Sequence, residues 1–425
     1  MRAHPRGWVW GPGAAPRVRG RTSPGRSARI ISGRGTSAGA GSDFLSEEII
    51  NLPTTVDANA MGFQMSAFDG TYVYFFPYRK NGTAHGTVAR YDTRLSFTDG
   101  SSWSTGNLAT VVGATAVGFL GGIYLNGSCY FVPYETVGKL ANDLFVKFDV
   151  TKQLNDATAY QTFSGGGVFK GWATAAHDGR YVYYCPVNSI ATGVLHGRFV
   201  RYDSTADFTV AGSWEEFTLT DLDTDAKGMQ TVGFDGRYIY VVPYAKTILV
   251  RYDTTQSFTS ASSYQTIDMT EFGGATARGY TGIEAVGGPT NGYVYFCPWK
   301  DVSVAPVTYQ SRVARFNTAH ALDDPHGWEF YTLTNIKTSA KGYEGTWTDG
   351  KYAYLLPTFN GFQRPPIARH QISKSLDDST SWSFFNATIV YPACTGATYV
   401  KPYVYPAPYG VNGNRGNVHR LEFRR

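Results

Sequence analysis

No stretch of this chain approaches 18 consecutive apolar residues, so no membrane-spanning helix is expected. Cysteine is scarce: Cys129, Cys185, Cys297 and Cys394 lie far apart in apolar, strand-like runs. That spacing fits neither a zinc site nor a dense disulfide framework, and points to buried free thiols. The eight histidines have no spacing that brings three ligands together, so no metal and no cofactor are expected. Nucleophile-elbow, phosphate-loop and zinc motifs are absent as well. Acidic residues are missing altogether from residues 1–42, which carry eight Arg. The net charge of +5 therefore belongs to that stretch and the remainder stands at −3, so the basic balance does not imply a nucleic-acid partner.

Residues 1–42 are rich in Gly, Pro, Arg and Ser and are expected to be disordered. They lack the apolar run of roughly 7–15 residues that a secretory signal needs. Their Arg-rich, acid-free character resembles an organelle transit peptide; the alternatives are a tail without a folded role and an upstream extension created by start-site choice. The compartment stays open.

What the chain does have is aromatic residues (15%, with 30 Tyr), 48 Gly, and a repeat. "DGRYVYYCPV" begins at Asp178 and "DGRYIYVVPY" at Asp235. Related phrases begin at Asp69, Asn126, Asn291 and Asp349, with a degraded copy at Pro402. Their prolines, Pro77, Pro133, Pro186, Pro243, Pro298, Pro357 and Pro408, recur about every 55 residues. Each unit adds a Gly-centred apolar run upstream, an "ARYD"-like run downstream, and a last run opened by an aromatic residue. These are four strand-sized runs rich in aromatic and β-branched residues, and the Asp-Gly or Asn-Gly between the first two is a hairpin signal of the type I′ kind. Seven such units imply an all-β, seven-bladed β-propeller of four-stranded antiparallel blades over residues 43–425. The seventh unit lacks an outer strand, and "SEEIINL" (Ser46–Leu52) resembles the outer run "SWEEFTL" (Ser213–Leu219). The N-terminal strand is therefore expected to join the last blade and close the ring.

The layout resembles kelch-type propellers, with Pro-Tyr standing where kelch blades carry a double glycine. The turns "SFTDGSSW" (Ser96–Trp103) and "LDDSTSW" (Leu376–Trp382) are similar to the Asp-box of sialidase-type propellers. Only a fold follows from this, because propellers bind proteins, sugars and small molecules, and some catalyse.

Residues present in every unit read as framework. Arg90, Arg201, Arg251, Arg315, Arg369 and Arg420, with Lys147, are followed two residues later by Asp92, Asp149, Asp203 and Asp253 in four units. Positions two apart share a face, so an Arg–Asp ladder is expected. Trp103, Trp214, Trp328, Trp382, Tyr160 and Tyr264 are expected to pack between blades.

Candidate site residues cluster on the face where outer-to-inner links and second-to-third links emerge. Lys170, Lys227, Arg278 and Lys341 precede a Gly and then Trp172, Met229, Tyr280 or Tyr343. Around one mouth, four such cations would favour an anionic ligand; the alternative is that each lies on solvated rim or pairs with nearby acids such as Asp223, Asp225 or Glu344. A second set follows the proline: Tyr78-Arg79-Lys80, Tyr134-Glu135, Tyr244, Trp299-Lys300 and Tyr409, aromatics beside cations that suit sugar stacking or peptide capture. The same residues also suit strand-end packing. His85 and His196 occupy equivalent places in units one and three. The expected function is non-catalytic binding of a carbohydrate or acidic ligand by a monomer, with no nucleic acid and no membrane. The alternatives are a polysaccharide lyase using His or Tyr with Lys and Arg on the same face, and a scaffold for a protein partner.

Overall fold

The computed structural model describes residues 44–165, 171–188, 192–358, 360, 365–386, 394–409 and 416–423. These form seven four-stranded antiparallel sheets, each running from an inner to an outer strand, and two short two-stranded ribbons. In blade one the strands are Phe63–Phe68, Tyr72–Pro77, Thr87–Asp92 and Trp103–Asn107. The inner strands of blades two to seven begin at Phe119, Trp172, Met229, Tyr280, Tyr343 and Cys394. Each inner strand neighbours the next, and that of blade seven neighbours that of blade one, so the sheets form a ring. The chain is a seven-bladed β-propeller. Its N-terminal strand, Phe44–Asn51, pairs antiparallel with Asn417–Phe423 as the outer strand of blade seven. Glu48 takes the Arg420 guanidinium there, and Glu47 Oε1 meets His419 Nδ1 at 2.7 Å.

The recurring phrase has a physical reason. Asp235 Oδ1 accepts the backbone N–H groups of Arg237 and Tyr238, and its Oδ2 accepts the Tyr240 hydroxyl at 2.9 Å. Asp69, Asp178 and Asp349 do the same in blades one, three and six. The other tyrosine of the phrase carries the recurring arginine: Arg201 stacks on Tyr181 at 3.9 Å, Arg251 on Tyr238 at 4.4 Å and Arg315 on Tyr293 at 4.1 Å. One tyrosine thus closes the turn and its neighbour two along supports a cation. The type I′ expectation holds only at Asn126-Gly127, where both residues have positive φ. At the four Asp-Gly turns only the glycine does, because the loop is one residue longer and the Asp side chain shapes it.

The Arg–Asp ladder does not form. Arg201 and Arg315 turn outward to Glu215 and Glu329, directly opposite on the outer strand, and Arg251 to Gln265. Asp203 and Asp253 instead hold Arg180 and Arg237 at 2.6 Å. The outer aromatics do pack between blades, and each donates to a carbonyl six residues upstream: Trp214 Nε1 to Phe208 O at 3.1 Å, Tyr264 hydroxyl to Phe258 O at 2.6 Å. Trp103, Tyr160, Trp328 and Trp382 repeat the bond. Seven apolar layers fill the blade boundaries. The four cysteines are buried free thiols. Among the described residues no helix is long and apolar enough to cross a membrane.

Candidate functional site

The residue after each phrase proline is placed by the glycine that opens the inner strand. Gly62 accepts the N–H groups of Tyr78 and Arg79, Gly118 those of Tyr134 and Glu135, Gly228 those of Tyr244 and Ala245, and Gly279 that of Trp299. The approach is so close that a Cβ on Gly62 would lie 1.7 Å from Arg79 O, and the φ of +70° already favours glycine. Four rings, Tyr78, Tyr134, Tyr244 and Trp299, are thereby anchored around the propeller axis, and Tyr409 of blade seven makes a fifth. Tyr78 stacks on Tyr409 at 5.7 Å and Tyr244 on Trp299 at 5.8 Å. The collar surrounds an axial cavity of about 120 Å3.

The polar groups of this cavity come from single blades. Gln64, Gln230, Glu344 and Thr395 rise from the inner strands, and Asn188 and Lys300 from the links after strand two. Gln64 Oε1 and Thr395 Oγ1 are buried without a hydrogen-bond partner among the described residues. Asn188 accepts the Tyr134 hydroxyl at 3.1 Å. Lys300 Nζ sits 3.8 Å from the centre of the Trp299 ring. Burial pushes the Glu344 carboxyl up to about 8, against the pull of the Lys300 charge and the Thr358 hydroxyl. Burial likewise lowers Lys300 to about 8, with Glu344 pulling back. Both side chains are 7% exposed.

Of the sequence candidates, Tyr78, Tyr134, Tyr244, Trp299, Lys300 and Tyr409 line the cavity, and Arg79 does not. Arg79 is bound bidentately to Glu135 and stacks on Tyr78 at 5.0 Å. Of the four cations expected around the mouth, the three described ones do not line the cavity. Lys227 lies 3.7 Å from Asp225, Arg278 donates to Ser303 Oγ at 2.9 Å, and Lys341 is half-buried away from the lining. Lys170 lies outside the described residues, as do residues 1–42. Trp172, Tyr280 and Tyr343 are fully buried in the layers between blades, because their strand positions face the neighbouring sheet.

His85 and His196 are a repeated backbone clamp. His85 Nε2 meets Gly62 O at 3.2 Å while its Nδ1 accepts Thr87 N–H, and its own carbonyl accepts Gly118 N–H of the next blade. His196 joins Gly171 to Gly228 in the same way. These contacts assign Nε2–H as the donor in both rings. Burial lowers His85 to about 4, so it is neutral at neutral pH.

Sequence reasoning passed over Gln64, Gln230 and Thr395. A signal existed: in Gly-Phe-Gln, Gly-Phe-Leu, Gly-Trp-Ala, Gly-Met-Gln, Gly-Tyr-Thr and Gly-Tyr-Glu, the third residue changes from blade to blade while the second stays large and apolar. The second packs the blades and the third lies near the axis.

No protein-family model matches the chain, and no curated protein matches it. Among solved structures it is similar to the computationally designed Ika8 protein, at 9% identity and a TM-score of 0.46. The likeness covers 87% of this chain and 98% of that one, and carries no argument about function.

Proposed function

We propose that the axial cavity binds an uncharged carbohydrate unit without chemical change. The observation that carries this reading is the aromatic collar enclosing two unpartnered polar atoms, Gln64 Oε1 and Thr395 Oγ1. A sugar ring offers apolar C–H faces to such a collar and hydroxyls to neutral amide and hydroxyl groups. The cavity is small beside the roughly 300–1,000 Å3 of pockets for drug-sized ligands, which favours one ring or the end of a longer chain.

A neutral ligand is favoured over an acidic one because the lining is almost wholly uncharged. Lys227, Arg278 and Lys341 are absent from it, and Lys300 stands as a single ammonium beside the Glu344 carboxyl. The His and Tyr bases expected of a lyase are poorly suited here: burial raises the Tyr134 hydroxyl and lifts that of Tyr409 to about 12, and neither His85 nor His196 lines the cavity. A kelch-like relationship stays part of this proposal, resting on the blade layout alone.

The test is an array of neutral and uronic-acid glycans probed with the full chain. Neutral glycans should bind, and Trp299→Ala, checked for folding by its melting temperature, should weaken them roughly 10- to 100-fold. Binding confined to acidic glycans would overturn the reading, and silence across the array would leave a protein partner in its place.

A further inference from the structure

A second pocket opens on the same face, and its contents extend the proposed site. It has a volume of about 230 Å3 and shares Tyr244 and Ala245 with the axial cavity. Its remaining lining is Asp225, Lys246, Thr247, Arg278, Asp301 and Ser303, from the links of blades four and five. Lys246 Nζ is 2.9 Å from Asp225 Oδ1, and Arg278 Nε is 4.0 Å from Asp301 Oδ2. Ser303 bridges the latter pair, accepting from Arg278 and donating to Asp301. Lys227 supports Asp225 from outside the lining.

Two carboxylates and two cations balance within this lining, and each is held in place by another. The balance leaves the lining without a net charge to attract a free ion. A hydroxylated neutral ligand needs none, because each carboxylate has about four acceptor sites and the guanidinium five N–H donors, more than the internal bonds occupy. Tyr244 and Ala245 line both spaces, so the pocket adjoins the axial cavity.

We infer that the ligand is an uncharged oligosaccharide of at least two units, one ring in the axial cavity and the next in the pocket between blades four and five. This rests on the carbohydrate reading, and the two can fail separately. In titration calorimetry with the full chain, D-glucose, D-mannose, D-galactose and N-acetylglucosamine are compared with their 1,3- and 1,4-linked disaccharides. At least one disaccharide should bind roughly 10- to 100-fold more tightly than its monosaccharide, since several hydrogen bonds are added. Arg278→Ala should close that gap, and the milder Ser303→Ala should narrow it. Equal affinity for one ring and two, or a gap that survives in Arg278→Ala, would overturn the inference while leaving the axial site intact. No binding of any sugar would overturn the carbohydrate reading and the inference with it.

Discussion

Arg79 and Glu135 face each other across the boundary of blades one and two, with Nε and Nη2 of the arginine each held by one carboxylate oxygen. The side chains are 7% and 1% exposed. Each lies two residues beyond its phrase proline, directly after a collar tyrosine. At the same position blades four, five and six carry Ala245, Lys300 and Phe359. The pair therefore braces one side of the collar, the Tyr78–Tyr134 side, as a buried ion pair.

Removing one partner strands the other. Arg79→Met or Glu135→Leu should each cost about 3–5 kcal/mol, because an uncompensated buried charge remains. The double replacement should recover most of that loss. Urea unfolding of the four proteins forms a double-mutant cycle, and additive losses would show that the two residues are not coupled.

The turn aspartates should be worth more than their surface position implies. Asp235 is 5% exposed and satisfies two amides and the Tyr240 hydroxyl. Asp235→Ala leaves three donors without that acceptor and should destabilise by about 2–4 kcal/mol, whereas Asp235→Asn, which keeps an acceptor at Oδ1, should cost less. Equal losses by denaturant titration would assign the effect to the loop rather than to these bonds.

These two cases mark what the sequence could say. The turn phrase was legible because the same local problem is solved in blade after blade, and repetition separates framework from accident. Ring closure was legible for the same reason, since Ser46–Leu52 fills a gap the repeat itself defines. The partners of Arg201 and Arg315 were not, because they depend on cross-strand register with Glu215 and Glu329, a relation invisible to spacing within one strand. The cavity was harder still. Gln64, Gln230, Glu344 and Thr395 stand at a position whose residue varies among the blades, so no repeat marks them, and only the ring brings their blades to one axis.

Two histidines should make the fold sensitive to mild acid. Burial lowers His85 and His370 to about 4, from an ordinary value of 6.5. His370 is engaged at both nitrogens, by the Tyr295 hydroxyl at 3.0 Å and Ser375 O at 3.2 Å. The folded state prefers each ring neutral, so the unfolded chain takes up protons first. The stability they contribute is present above about pH 6.5 and is lost as pH falls toward 4. Between pH 7 and 5 each should remove about 1–2 kcal/mol. His85→Gln should flatten the pH dependence by that amount, and a slope equal to that of the unaltered protein would sink the assignment.

Glu344 titrates near 8, so at neutral pH the folded protein presents mainly a neutral acid beside the Lys300 ammonium. Glu344→Gln copies the neutral acid in shape and charge, and should bind neutral sugars at pH 7 within about threefold of the unaltered protein. As pH rises from 7 to 9 the unaltered cavity exchanges a neutral acid and a cation for an anion and a neutral amine. The donor at Glu344 is lost and that at Lys300 weakens from an ammonium to an amine, so sugar affinity should fall, while Glu344→Gln should retain the donor at position 344 and fall less. Lys300→Met removes the charge that favours the carboxylate, so the loss of affinity tied to Glu344 should move above pH 8. Calorimetry at several pH values reads all three. If Glu344→Gln abolishes binding at pH 7 while the protein stays folded, the carboxyl works as an anion and the cavity is built for a ligand that donates to it. If affinity is flat from pH 7 to 9, neither group touches the sugar and recognition belongs to the collar with Gln64 and Thr395.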